Sequence, residues 1–293
     1  MIKESASRKV FVVFNYIFFT LFSISIIVPF LNCIAISFSS YTAVSAGEVG
    51  IWPVGWDLQA YSRLVKNMQL WRTFGNTVII TVVNTVLTIS IALMTAYALS
   101  NKYLIGKGAF MVFFLIPYYF AGGLIPSYLV ITQLGLKNNF LVYILPSITS
   151  IYYIIVFRNI IAALPKELME SAEIDGATQP RILFSIIIPL IVPTIAAFIV
   201  FSAVGNWNTW FSSMVYMDDR KDWLLQYQLR EILMGSSMTN VEMESSLADR
   251  EHQVHADTTK MAALMITVLP IIIIYPFVQK YFVKGVLVGA VKG

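Results

Sequence analysis

"KELMESAEIDGATQPRILFSIIIPLIVP", residues 166–193, joins a polar segment to an apolar one without a break. Lys166, Glu167, Glu170, Glu173, Asp175 and Arg181 crowd its first half, while uncharged stretches lie close on either side, at 138–157 and 182–217. The rest of the chain repeats this contrast, with further uncharged stretches at 10–38, 73–101, 108–136 and 261–279. Hydrophobic residues make up 58% of the chain and charged ones 12%, with a mean hydropathy of +0.74, against about 25% charged in a soluble domain. Each uncharged stretch can supply the roughly 20 apolar residues that cross a hydrocarbon core. Lipid offers backbone N–H and C=O groups no partners, and no stretch alternates as a membrane strand does, so the spans are helices. The expectation is an all-α membrane protein with six transmembrane helices, at about 10–38, 73–101, 108–134, 139–160, 182–204 and 261–282.

Six spans put both termini on one side. Lys3, Arg8, Lys9, Lys102, Lys107, Arg158, Lys166, Arg181, Lys280, Lys284 and Lys292 all fall in short segments on the same side as the N-terminus, so both termini are expected to be cytoplasmic. The first span is too long for a signal-peptide core and no small-residue cleavage site follows it. A net charge of +4 needs no nucleic acid to explain it, and Cys33 stands alone, which excludes a disulfide framework.

In this topology the opening segment, 164–181, is a cytoplasmic loop between spans 4 and 5. Pro165 suits a helix start, and Glu167 in the first turn complements the helix dipole. Leu164, Leu168 and Ala172 recur at a spacing of four as an apolar face, and Glu167, Glu170 and Glu173 at three as an acidic one. Gly176 permits a turn, and Thr178 with Pro180 reads as a cap and a fresh helical start. Such a helix can rest on headgroups or on a protein. Interfacial helices carry Lys and Arg beside the apolar face, and an anionic leaflet repels three glutamates.

These residues also resemble a family signature. Glu170-Ser171-Ala172, three residues, Gly176, nine residues, then Ile186, one residue, Ile188 and Pro189 are similar to the EAA loop (E-A-A, x3, G, x9, I-x-L-P) of the membrane-spanning subunits of binding-protein-dependent ABC importers. Ser171 and Ile188 are conservative departures from it. "AYALSN" (96–101), "GNWNTWF" (205–211) and "QKYFVKGVLVGAVKG" (279–293) further resemble the maltose-type sugar permeases, in particular the LplC-type oligosaccharide and polysaccharide subgroup. The resemblance implies a type I ABC importer permease fold in the bacterial cytoplasmic membrane, with 164–181 as the coupling loop. Glu170, Ser171, Ala172, Gly176, Ile186 and Pro189 would be its ATPase-coupling residues. The implied partners are a second permease subunit, two ATPase subunits that bind ATP and Mg, an extracytoplasmic solute-binding protein and a saccharide. No cofactor is implied for this chain.

Other chemistry is weakly signalled. No G-x-x-x-x-G-K-[ST] occurs, so the chain has no phosphate-cradling loop of its own. "IDGAT" (174–178) starts like the D-G-x-x-A-R opening of lipid-alcohol phosphotransferases, but Gln179 stands where that pattern needs Ala and no Asp follows on the next helix. His252, His255 and Asp257 read either as a small metal site or as solvated loop residues, the latter being commoner for such a set. No catalytic residue and no metal site are assigned.

Residues 205–260 form an expected extracytoplasmic loop, with helical spacing in "WLLQYQLREILM" (223–234) and a polar remainder. All six tryptophans, Trp52, Trp56, Trp71, Trp207, Trp210 and Trp223, fall in or beside the two outer loops. Asn206, Trp207, Asn208 and Trp210 set two indoles beside two amides in one short turn. That cluster suits pyranose rings and also suits an interfacial belt. Asn76, Asn84, Tyr118, Tyr119 and Gln133 are expected to face the bundle interior, because a lipid-facing amide is costly. Of these, Asn84, Tyr118 and Tyr119 join Asn206, Trp207, Asn208 and Trp210 as the candidate substrate pathway. Gly122-Gly123, with Pro117 and Pro126, should break span 3 locally. A membrane-embedded enzyme, a channel and a permease for a non-sugar solute are the alternatives; copurification with an ATPase separates the first two from a permease.

Overall fold

A computed structural model of the chain describes residues 6–242, 257–276 and 279. His252, His255 and the tail beyond Gln279 lie outside the described residues. The described helices are α1 (Ala6–Ser37), α2 (Tyr41–Ser45), α3 (Gln59–Lys66), α4 (Met68–Ser100), α5 (Lys107–Tyr119), α6 (Leu124–Gln133), α7 (Ile151–Ala162), α8 (Lys166–Ile174), α9 (Gln179–Ile182), α10 (Ile188–Trp207), α11 (Phe211–Tyr216) and α12 (Leu225–Glu242), followed by α13 (Asp257–Pro276). Among the described residues five helical stretches are long and apolar enough to cross a membrane, or six if α5 and α6 count as one bent span. The chain divides into two compact units, Met1–Leu70 with Leu229–Leu269, and Trp71–Gln228 with Pro270–Gly293.

In the first unit, α1 exposes apolar side chains from Val10 to Leu31, as a lipid-facing helix must. Its far end carries a folded loop. Asn32 Nδ2 donates to the carbonyls of Val49 at 3.1 Å and Gly50 at 2.7 Å. The Ser39 hydroxyl donates to the Ala35 carbonyl and accepts from the Val54 N–H. Phe38 stacks on Tyr61 of α3 with ring centroids 4.8 Å apart.

The second unit is built on α4. Ile89, Ala92, Leu93, Ala96 and Leu99 recur at the helical period and are buried against Ile154, Phe157 and Ile161 of α7, Ala172 of α8, and Ile182, Leu183, Ile187, Ile191 and Phe198 along α9–α10. A second cluster gathers Ile80, Ile131, Leu136, Val142, Tyr143, Tyr216, Met217, Trp223 and Leu224. Between α9 and α10 the backbone widens into a π-turn, Leu183–Ile187, closed by the Ile188 N–H on the Leu183 carbonyl. Pro189 has no N–H to offer the preceding turn and its ring crowds the carbonyl four residues back, which accounts for the widening at that point.

Span 3 is broken at the paired glycines, and sharply: α5 and α6 are bent by 113° at the break between them. Gly123 carries φ 85° and ψ −178°, a conformation essentially confined to glycine. The stretch 138–157 also starts without an α-helix, as two 3₁₀ turns, Phe140–Tyr143 and Leu145–Ser147, before α7.

Candidate functional site

α8 and the turn after it follow from local chemistry. Glu167 occupies the first turn. At the other end Gly176 adopts φ +74°, its N–H donates to Glu173 O at 3.1 Å, and the Ala177 N–H reaches Ala172 O at 2.9 Å. This pair of bonds is a Schellman motif, completed by Ala172 and Ala177 meeting in the same apolar cluster. Thr178 holds the cap position of α9 with extended backbone but makes no side-chain cap bond.

The faces of α8 differ from expectation. Ala172 is 8% exposed and packs, with Met169, Leu164 and Ala177, on the core beneath. Ala172 therefore faces its own chain and not outward. Leu168, expected on that same face, is exposed, as are Ser171 and Ile174, the last at 85%. The two glutamates that follow Met169 and Ala172 flank the buried stripe, and neighbouring groups of the same chain take them up. Glu170 Oε1 accepts from Lys102 Nζ at 2.8 Å. Glu173 Oε1 accepts from Gln179 Nε2 at 3.2 Å, and Gln179 Oε1 accepts from the Tyr97 hydroxyl. The bond from Lys102 holds the Glu170 carboxyl below its ordinary range, and the same bond raises Lys102. A cavity of about 270 Å³ lies here, lined by Tyr97, Lys102, Lys107, Met169, Glu170 and Gln179 among others. Ile186 is partly buried on the same core, and Pro189 is exposed just beyond the π-turn.

Deeper in the unit, Asn84 and Asn206 come together. Asn84 is 1% exposed; its Nδ2 donates to Tyr143 O at 2.8 Å, Ser147 Oγ at 3.0 Å and Asn206 Oδ1 at 3.3 Å. Asn206 Nδ2 in turn donates to Ser202 O at 2.9 Å. Thr88 Oγ1 joins the cluster through Ser147 O. Asn84 Oδ1 and the hydroxyls of Thr81 and Thr85 are buried without a hydrogen-bond partner, so this polar seam is incompletely satisfied in the described conformation.

The other pathway candidates do not gather there. Trp207 is 7% exposed, its ring edge-to-face with Phe74 at 5.7 Å, because α10 runs on to that residue and turns it inward. Asn208, past the helix end, is exposed and accepts from Gln226; Trp210 is half-buried. Trp207 and Trp210 thus form no open pair of indoles. Tyr118 and Tyr119 are exposed, at 45% and 72%, at the end of α5 where the chain turns away, and Gln133 is exposed too. Asn76 binds the carbonyls of Lys221 and Trp223. Asp257 accepts from Lys260 at 3.0 Å.

One site was missed. Asn138, at φ 58°, exchanges two bonds of 2.8 Å with Asp218. Lys137 pairs with that carboxylate at 3.4 Å. Tyr143 Oη donates to Asp222 O, and Thr77 Oγ1 accepts from the Leu225 N–H. Segment 216–225 is thereby pinned from three sides. The signal available in sequence was "GLKNN", a turn in which asparagine tolerates left-handed backbone.

Five helical stretches long and apolar enough to cross a membrane, or six with α5 and α6 as one bent span, define a multi-span membrane protein among the described residues. The chain belongs to the binding-protein-dependent transport system inner membrane components, whose model matches residues 2–288. It is 32% identical over 286 residues to the polygalacturonan/rhamnogalacturonan transport system permease protein YtcP of Bacillus subtilis strain 168, covering 98% of this chain and 99% of the relative. It is 34% identical over 292 residues to protein LplC of the same organism, covering 99% and 97%. Among solved structures it is similar to a chain of a bacterial ABC transporter involved in the import of the acidic polysaccharide alginate, with a TM-score of 0.85, 28% identity and coverage of 96% of this chain and all of that one. The chain is a multi-pass permease subunit of the inner membrane with the type I ABC importer permease fold.

Proposed function

We propose that the chain forms part of the translocation pathway for oligosaccharides or polysaccharides. The observation that carries this is end-to-end similarity to YtcP, named for polygalacturonan and rhamnogalacturonan transport; similarity to the alginate importer supports it. The partners are a second permease chain, two ATPase subunits that bind ATP and Mg, and an extracytoplasmic binding protein that delivers the saccharide. The chain carries no phosphate-binding loop and leaves ATP hydrolysis to the ATPases. Both termini and α8 lie on the cytoplasmic side, and 205–260 on the outer side.

α8, with the Gly176 turn, docks on an ATPase through its outward face of Leu168, Ser171 and Ile174, flanked by Glu167 and Asp175. Ala172 and Ile186, on the core beneath, support that face from behind, and Pro189 sets the π-turn that follows. In the pathway, Asn84 and Asn206 are closed on one another in this conformation, while Tyr118 and Tyr119 are exposed at the end of α5 and Asn208 and Trp210 follow the end of α10. Trp207 supports the site through packing. Uptake by cells lacking this chain tests the substrate class: loss of glycan uptake is expected. Normal glycan uptake combined with lost peptide or amino-acid uptake would overturn it.

A further inference from the structure

Both glutamates that flank the buried stripe of α8 are tied to the same element. Lys102, which holds Glu170 at 2.8 Å, lies two residues past the end of α4. Tyr97, which reaches Glu173 through Gln179, lies in the last turn of α4. The cavity of about 270 Å³ is lined by residues of both ties. Apolar packing therefore does not fill the space between α8 and the end of α4, and polar bonds span it. Ala172 and Met169 seat the inner face of α8 on the core. Two ties on the same flank oppose rotation of α8 about that seat. The Asn101 side chain accepts from the Tyr103 N–H at 2.8 Å and shapes the turn that presents Lys102. The Ser100 hydroxyl, bonded to Ala96 O and Arg158 O, anchors that turn to α7.

We infer that Lys102 and Tyr97 are positioning residues for energy coupling: they fix the angle of α8 on the end of α4, so that a displacement of α8 is handed to α4. On that same helix, thirteen residues before Tyr97 and so about 20 Å away at 1.5 Å per residue, sits Asn84 with its bonds to Tyr143, Ser147 and Asn206. This inference rests on α8 being the coupling helix. It assigns Glu170 an intrachain partner, and it joins the coupling loop to the amide cluster through a single rigid element.

The test uses the complete transporter in liposomes, reading transport, ATPase association and the stimulation of hydrolysis by loaded binding protein. Lys102→Glu should lower transport by up to about fivefold, an exposed pair being lost and a repulsion added, with ATPase association retained. Glu170→Lys should lower transport as well, and the double swap Lys102→Glu/Glu170→Lys should restore most of the loss. Tyr97→Phe, which keeps the ring and removes only the hydroxyl, should lower stimulated hydrolysis without changing assembly. A swap as impaired as Glu170→Lys alone overturns the inference, and so does wild-type transport by Lys102→Glu. Ile174→Asp touches neither tie and reports on docking itself. If it keeps full ATPase association, the docking reading fails independently of the swap result.

Discussion

The Ala177 N–H donates to the Ala172 carbonyl at 2.9 Å across Gly176, whose φ of +74° closes the turn. Beyond Gly176 and its two chain neighbours, no heavy atom lies within 4 Å of where a Cβ on Gly176 would stand, so the cost of a substitution is backbone conformation alone. Gly176→Ala should loosen the end of α8 by about 1–2 kcal/mol. Gly176→Asn, which tolerates left-handed backbone, should lose less. Hydrogen exchange at the amides of Gly176 and Ala177 checks this, and faster exchange in the Asn variant than in the Ala variant would contradict it.

Gly122 and Gly123 should separate in the same way at the break of span 3. Gly123 requires its left-handed φ, so Gly123→Ala should cost about 1–3 kcal/mol. At Gly122 a Cβ would meet only Pro126 Cβ, at an ordinary 3.6 Å, and Gly122→Ala should be nearly neutral. Thermal unfolding in detergent measures both; equal losses would mean that backbone strain at Gly123 does not hold the bend.

Much of this architecture was legible because lipid leaves an apolar run few options: the stretch at 73–101 becomes α4, and paired glycines mark the break in span 3. The 113° bend was not legible, since a Gly-Gly pair permits any angle and tertiary packing selects one. In α8 the Gly176 turn was legible from spacing, but the inward face was not. Over nine residues the stripes at intervals of three and four overlap, and only the core beneath selects Met169 and Ala172 over Leu168. Asn84 and Asn206 each read as interior polar residues, yet their meeting across 122 positions is set by how α4 and α10 pack.

The coupling ties should be insensitive to pH across the physiological range. Glu170 is lowered from 4.5 by its bond to Lys102, so its contribution is complete above that value and fades only as pH falls through the lower folded pKa. Lys102 is raised from 10.5 by the same bond, so its contribution is complete below that value and is lost as pH rises through the higher folded pKa. Between about pH 6 and pH 9 the ratio of wild-type transport to that of Lys102→Gln should therefore stay flat. A midpoint inside that window would assign the titration to another group and remove this pair from control of the step.

Trp207 and Trp210 should fail in different ways, because the chain buries one and half-exposes the other. Trp207 is 7% exposed and meets Phe74 edge-on, so Trp207→Ala leaves a cavity costing about 3–5 kcal/mol. The expected result is less folded permease in the membrane and a lower unfolding temperature, with transport falling in proportion to the amount present. Trp207→Phe, which refills much of the space, should recover most of it. Trp210 packs edge-to-face on its neighbour Phe211 at 5.7 Å and keeps part of its ring open. Trp210→Ala should leave the amount and the unfolding temperature close to wild type while weakening saccharide transport per molecule. Measuring transport against the quantity of assembled complex separates the two outcomes. If Trp207→Ala assembles fully and loses only transport, its indole contacts the solute in another conformation; if Trp210→Ala loses assembly, that ring serves the fold and leaves the pathway to Asn84 and Asn206.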